Sequence, residues 1–182
     1  MLTLTTPPAG EPLDLPGVKA ALRIETDAED TVLERMISAA RHLIERRLDL
    51  ALLAQTWTLS LAGVPAAPVP LRPGKVARIT GGTVRYEGEA PRDLADGEAR
   101  LVRSWPARVA FDLKGAHAVT ELTVEFEAGW PAAASVPPGL VHALHLLVAH
   151  YYEERQLFAE GRYVPVPASL DAHLAAFREV RL

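Results

Sequence analysis

The chain has 182 residues, 49% of them hydrophobic and 23% charged, which is the composition of a folded domain with its own core and excludes a wholly disordered chain. It has no cysteines, which excludes disulfides, thiolate metal sites, iron–sulfur clusters and cysteine nucleophiles. With 19 basic and 23 acidic residues the net charge is −4, so charge alone does not draw the molecule onto nucleic acid.

Met1 to Pro12 is rich in Thr and Pro and reads as an extended arm, with no basic stretch followed by an apolar run that would mark a signal peptide. A first helix, about 13–24, is expected from Leu15, Val18 and Leu22 on one face, with Pro16 in the tolerant first turn. Thr26-Asp27-Ala28-Glu29 has the spacing of a capping box and opens a long helix, about 27–48. Its apolar stripe is Val32, Leu33, Met36, Ile37, Ala40, Leu43, Ile44 and Leu48. Its wet face is expected to hold Glu34, Arg35, Ser38, Arg41, His42, Glu45 and Arg46.

From about 55 to 129 the period changes to that of an antiparallel β region. Trp57, Leu59 and Leu61 alternate with Thr56, Thr58 and Ser60. Short strands are expected at Val76–Thr80 and Thr83–Glu87, with Gly81-Gly82 as a hairpin turn between them. Others follow at Ala99–Arg103, Arg108–Leu113 and Val119–Phe126, the last with Leu122, Val124 and Phe126 on one face. Trp105 and Trp130 each precede a proline and mark strand ends or turns.

Pro137-Pro138 starts a third helix, about 138–157, apolar on more than one side and so expected to be enclosed by neighbours from its own subunit or the next. Its apolar core, Leu140 to Tyr152, is shorter than the ~20 residues of a membrane span. The protein is therefore expected to be soluble, made in the cytoplasm and without membrane contact. Gly161 to Pro167 is Pro-interrupted, and Ser169 can cap a short last helix with Leu170, Leu174 and Phe177 on one face. The fold class is α+β: terminal helices packed as a small bundle, with the antiparallel β region inserted between them. Residues 1–160 are read as one domain and 161–182 as a C-terminal tail.

The search for chemistry returns little. No phosphate-cradling glycine loop, Gly-x-Ser-x-Gly elbow or His-Glu-x-x-His occurs. His142 and His145, spaced i, i+3, are the only pair resembling a metal site, and two imidazoles without placed carboxylates read better as helix-edge or subunit-contact residues. No catalytic residue, metal site or cofactor is assigned.

Several stretches in order carry a family resemblance: Thr6-Pro7-Pro8, Lys19-Ala20-Ala21-Leu22-Arg23-Ile24, the long helix, Gln55-Thr56-Trp57-Thr58-Leu59, Val124 to Trp130, Val136-Pro137-Pro138 and His150-Tyr151-Tyr152-Glu153-Glu154-Arg155. Together they resemble the head–tail connector (adaptor) proteins of long-tailed phages, prophages and phage-like gene transfer agents. The chain departs from them after the long helix, where Leu48-Asp49-Leu50 stands in place of a Thr-Gly-Arg. The resemblance implies a non-enzymatic neck subunit of a virion or phage-like particle. Such subunits form a ring, usually twelve-fold, under the portal protein and above a stopper or tail-terminator protein. Double-stranded DNA passes through the lumen without sequence-specific binding.

The residues that suit these roles are a portal-docking tail (Leu170, Leu174, Phe177, Arg178, Val180, Arg181, Leu182) and a subunit-interface helix (His142, His145, Leu146, Ala149, His150, Glu153). The last helix folding back on its own subunit is the plain alternative for the tail. Two other functions stay open: a small protein-binding or regulatory α+β module without ring formation, and a metal-dependent enzyme built on His142 and His145.

Overall fold

The structure, a computed structural model, describes residues 1–104, 106–154 and 168–177. The chain divides into two compact units: a β unit of residues 1–9 and 49–130, and a helical unit of residues 10–48 and 131–182. The architecture is α+β, with helices towards both ends and antiparallel sheets inserted between them, as the sequence pattern implies.

In the β unit, strand β1 spans Leu2–Thr6, β2 Gln55–Leu61, β3 Val69–Pro70, β4 Val76–Tyr86, β5 Arg92–Asp93, β6 Ala99–Val102, β7 Arg108–Phe111 and β8 Val119–Ala128. β8 is the organising strand. Its alternation places Leu122, Val124, Phe126 and Ala128 on one face, all fully buried, as expected for the first three. β2 and β4 pair antiparallel on either side of it, giving a five-stranded sheet of order β1-β2-β8-β4-β5. The second sheet has the order β3-β7-β6. Val109 of β7 and Leu71 meet Val124 and Phe126 in one cluster, with Trp57 and Leu59 packed against it. Each fully buried Leu, Val or Phe contributes about 1.5–3 kcal/mol, so this one row does much to hold the two sheets together.

In the helical unit, α1 spans Leu15–Leu22, α2 Asp30–Leu48, α3 Pro138–Glu153 and α4 Ala168–Ala175. The Asp14 side chain caps α1 by accepting the Gly17 N–H at 3.0 Å, and α1 stops at Arg23, whose φ of 57° is left-handed. α2 buries Leu33, Ile37, Ala40, Ile44 and Leu48. α3 buries Leu140, Ala143, Leu144, Leu147 and Val148, and it packs against α1, α2 and α4.

Four expectations are corrected. The N-terminal arm is not free, because Leu2–Thr6 pairs with β2; the alternation Leu-Thr-Leu-Thr is a strand pattern inside a Thr- and Pro-rich composition. Helix α2 starts at Asp30, a turn after the expected capping box. There Asp27 instead accepts the Lys19 ammonium at 2.5 Å, and Glu29 accepts the Tyr152 hydroxyl at 2.6 Å. Gly81-Gly82 makes no turn and lies inside the continuous strand β4. A Cβ on Gly82 would stand 2.2 Å from the Thr123 carbonyl oxygen, so the glycine serves the close approach of β4 to β8. Arg41, placed on the wet face, is 7% exposed because two carboxylates neutralise it. The helix expected to reach 157 runs to Glu153, and residues 155–157 lie outside the described residues.

Candidate assembly surfaces

One side of α3 is spent inside the helical unit and the other is open. Pro138 occupies the start of α3, where its missing N–H costs nothing. The side opposite the buried stripe carries His142, Leu146 and Glu153, all exposed, and His145, Ala149 and His150, half-buried. The structure thus brings the six interface candidates onto one open flank of α3. Leu146, 36% exposed, is the large apolar residue among them.

A groove of about 640 Å³ runs beside this flank, lined by Glu11 to Asp14, Ala133, Ala134, Val136, Pro138, Val141, His142 and His145. One wall is fixed by Arg41, which donates to Glu11 from Nε at 2.7 Å and from Nη2 at 3.2 Å, and to Glu45 from Nη1 at 3.0 Å. Burial works against the Arg41 charge, but its hydrogen bond to Glu11 and the charges of Glu45 and Glu11 outweigh it and raise its pKa. Sequence reasoning missed this network because Arg41 and Glu11 are far apart in the chain.

The last helix folds back on its own subunit over the described residues. Leu170 and Leu174 are fully buried, Phe177 is half-buried, and a Cβ on Gly139 of α3 would stand 3.1 Å from the Phe177 ring. Arg47 of α2 holds Asp171 at 2.7 Å, and the ring of His142 meets His173 edge-on at 5.3 Å. His173, absent from the sequence-derived candidates, is therefore one of the residues tying α4 to α3. Of the expected docking tail, Arg178, Val180, Arg181 and Leu182 lie outside the described residues, as does Trp105.

Among the described residues no group of three His, Asp or Glu side chains stands close enough to hold a metal ion, so His142 and His145 gain no third ligand. No described helix is long and apolar enough to cross a membrane.

Comparison with known proteins adds two findings. Residues 13–77 match the family model of the phage gp6-like head-tail connector protein. Among solved structures, a chain from the virion of a native gene transfer agent particle is 26% identical, with a TM-score of 0.79 over 100% of this chain and 97% of that one. A chain from the neck of the native particle, computed with twelve-fold symmetry, is 25% identical with a TM-score of 0.71 and the same coverage. A chain from the neck of an empty particle, computed with six-fold symmetry, shares the fold at 24% identity and a TM-score of 0.79. No curated protein matches the chain. The resemblance read from the sequence is borne out: residues 13–77 match the phage gp6-like head-tail connector family, and the whole chain has the fold of a chain from a gene transfer agent particle neck.

Proposed function

We propose that this protein is a structural connector subunit in the neck of a phage or phage-like particle, joining the capsid to the tail without catalysing a reaction. The observation that carries this reading is the agreement of two independent comparisons, a connector family match over residues 13–77 and a fold match over the whole chain to particle necks. In this reading identical copies close into a ring, twelve in the particle, through head-to-tail contacts. The open flank of α3 is part of that contact. The residues from 178 onward dock with the portal protein, since the apolar side of α4 is already occupied at Leu170 and Leu174. The opposite side of the ring receives a stopper or tail-terminator protein. Double-stranded DNA passes through the lumen, and the net charge of −4 suits a subunit that lets phosphates slide past.

The test is genetic and structural together. Particles assembled without this chain are expected to accumulate as separate capsids and tails, with joining restored by the full-length protein. Normal joining in its absence would refute the reading. Deleting residues 161–182 is expected to abolish binding to purified portal, and retention at full strength would refute the docking role alone.

A further inference from the structure

The edge of the five-stranded sheet at β1 has the form of a docking site for another polypeptide. β1 is an edge strand, and all five of its residues are exposed. The Met1 ammonium donates to the Ser60 carbonyl and the Met1 carbonyl accepts from the Ser60 N–H, each at 2.8 Å, so Met1 and Ser60 form a hydrogen-bonded pair of the antiparallel ladder. Such pairs alternate along the strands. With Leu2 opposite Leu59, Thr3 opposite Thr58 and Leu4 opposite Trp57, Thr3 bonds inward to β2. The N–H and C=O groups of Leu2 and Leu4 therefore point outward along the free edge.

The side chains carry the same message. Two apolar rows run across the inner face of the sheet, Phe126–Trp57–Leu4 and Val124–Leu59–Leu2. Phe126 and Val124 are fully buried, Trp57 and Leu59 are half-buried, and Leu4 and Leu2 are 40% and 38% exposed. Burial falls step by step towards the open edge, as it does when a sheet lacks its next strand. Edge strands are ordinarily guarded by Lys, Pro or an inward-pointing charge, and Leu2–Thr6 has none of these. Only the irregularity between Leu4 and Thr6 limits the edge, leaving Leu2 to Leu4 as its usable part.

We propose that β1 is completed by an extended segment of a different neck protein, which pairs with the outward groups of Leu2 and Leu4 and places apolar side chains beside theirs. A second copy of this chain does not fit through its own β1 or another described sheet edge. Pairing β1 with β1 is two-fold and joins copies only in pairs, whereas a ring needs two different patches. Among the described residues no other edge matches it: β5 and β3 have two residues each, and β6 lies beside β4. The partner segment is uncharged where it meets β1, since the facing strands Leu2–Thr6 and Gln55–Leu61 contain no charged residue.

This inference rests on the connector reading, and one set of particles separates the two. The natural chain has no cysteine, so Leu4→Cys supplies a unique thiol. In the isolated full-length variant a maleimide is expected to label it freely. In joined particles labelling is expected to slow at least about ten-fold, and a benzophenone maleimide attached before assembly is expected to cross-link to a polypeptide other than this chain. Thr3→Lys, on the polar face, is expected to join particles normally, whereas Leu4→Lys is expected to enter the ring and fail to recruit its neighbour. A thiol as reactive in joined particles as in the isolated chain, or a cross-link only between copies of this chain, would overturn the proposal while leaving the connector reading intact. Absence of the chain from the particles would sink the connector reading and this inference with it.

Discussion

Arg41 sits between Glu11 and Glu45 with 7% of its surface exposed. Arg41→Met removes the cation from between two carboxylates that have already lost much of their water. We expect it to lower stability by about 2–3 kcal/mol, read as a shift in the urea midpoint, because a broken buried pair costs more than an exposed one. Gly129 is constrained by geometry instead of charge: its φ is 109°, and a Cβ would stand 2.1 Å from the Leu53 carbonyl oxygen. Gly129→Ala is expected to cost at least about 2 kcal/mol by thermal unfolding, since both strain and collision oppose it. Glu98 gives a pH dependence. Hydrogen bonds from the Arg92 guanidinium and the Ala95 N–H hold its pKa at about 2, below the usual 4.5. A depressed carboxylate stabilises the fold fully above its unfolded value, and that stability fades as pH falls from about 4.5 towards 2. Glu98→Gln is therefore expected to narrow the stability difference between pH 6 and pH 3, with the change confined to that acid window.

At the scale of elements, α4 is held by a few contacts and α3 by many. Leu174→Ala is expected to remove about 2–4 kcal/mol of packing and release α4 alone, seen as faster amide exchange over 168–177 with α3 unchanged. Leu146→Arg, on the open flank of α3, is expected to leave monomer stability within about 0.5 kcal/mol and to prevent ring closure on the portal. These elements were legible to different degrees. The alternation of Leu122, Val124 and Phe126 was readable because its period matches a face that is buried in full, and the stripe of α2 was readable at Leu33, Ile37, Ala40, Ile44 and Leu48, while Val32 at its start is 40% exposed. Strand β1 was not, since its pairing with β2 is a long-range event disguised by neighbouring prolines. The strand through Gly81-Gly82 was misread because glycine signals a turn and a close approach equally well. Arg41 was misplaced because helical period assigns it to the wet side, while a carboxylate thirty residues away decides otherwise. The contact of His142 with His173 was not legible, because it joins α3 to a helix about thirty residues further along the chain.

At the scale of the whole molecule, the connector reading predicts behaviour more than chemistry. Mass measured under native conditions is expected to rise to that of a closed ring once portal is added. With a net charge of −4, the chain alone is expected to leave the electrophoretic mobility of duplex DNA unchanged at physiological salt.

The two compact units are interleaved along the chain, and synthesis has to contend with that order. Helix α2 is finished at Leu48, but α3, which covers its apolar stripe, begins only at Pro138. At translation rates of about 5–20 residues per second, the stripe waits roughly 5–20 seconds for its cover. During that interval residues 49–130 emerge and can complete their own sheets. The nascent protein therefore passes through a stage in which its β unit can be folded while the apolar stripe of α2 still lacks its α3 cover, the stage at which a ribosome-bound chaperone has most to shield.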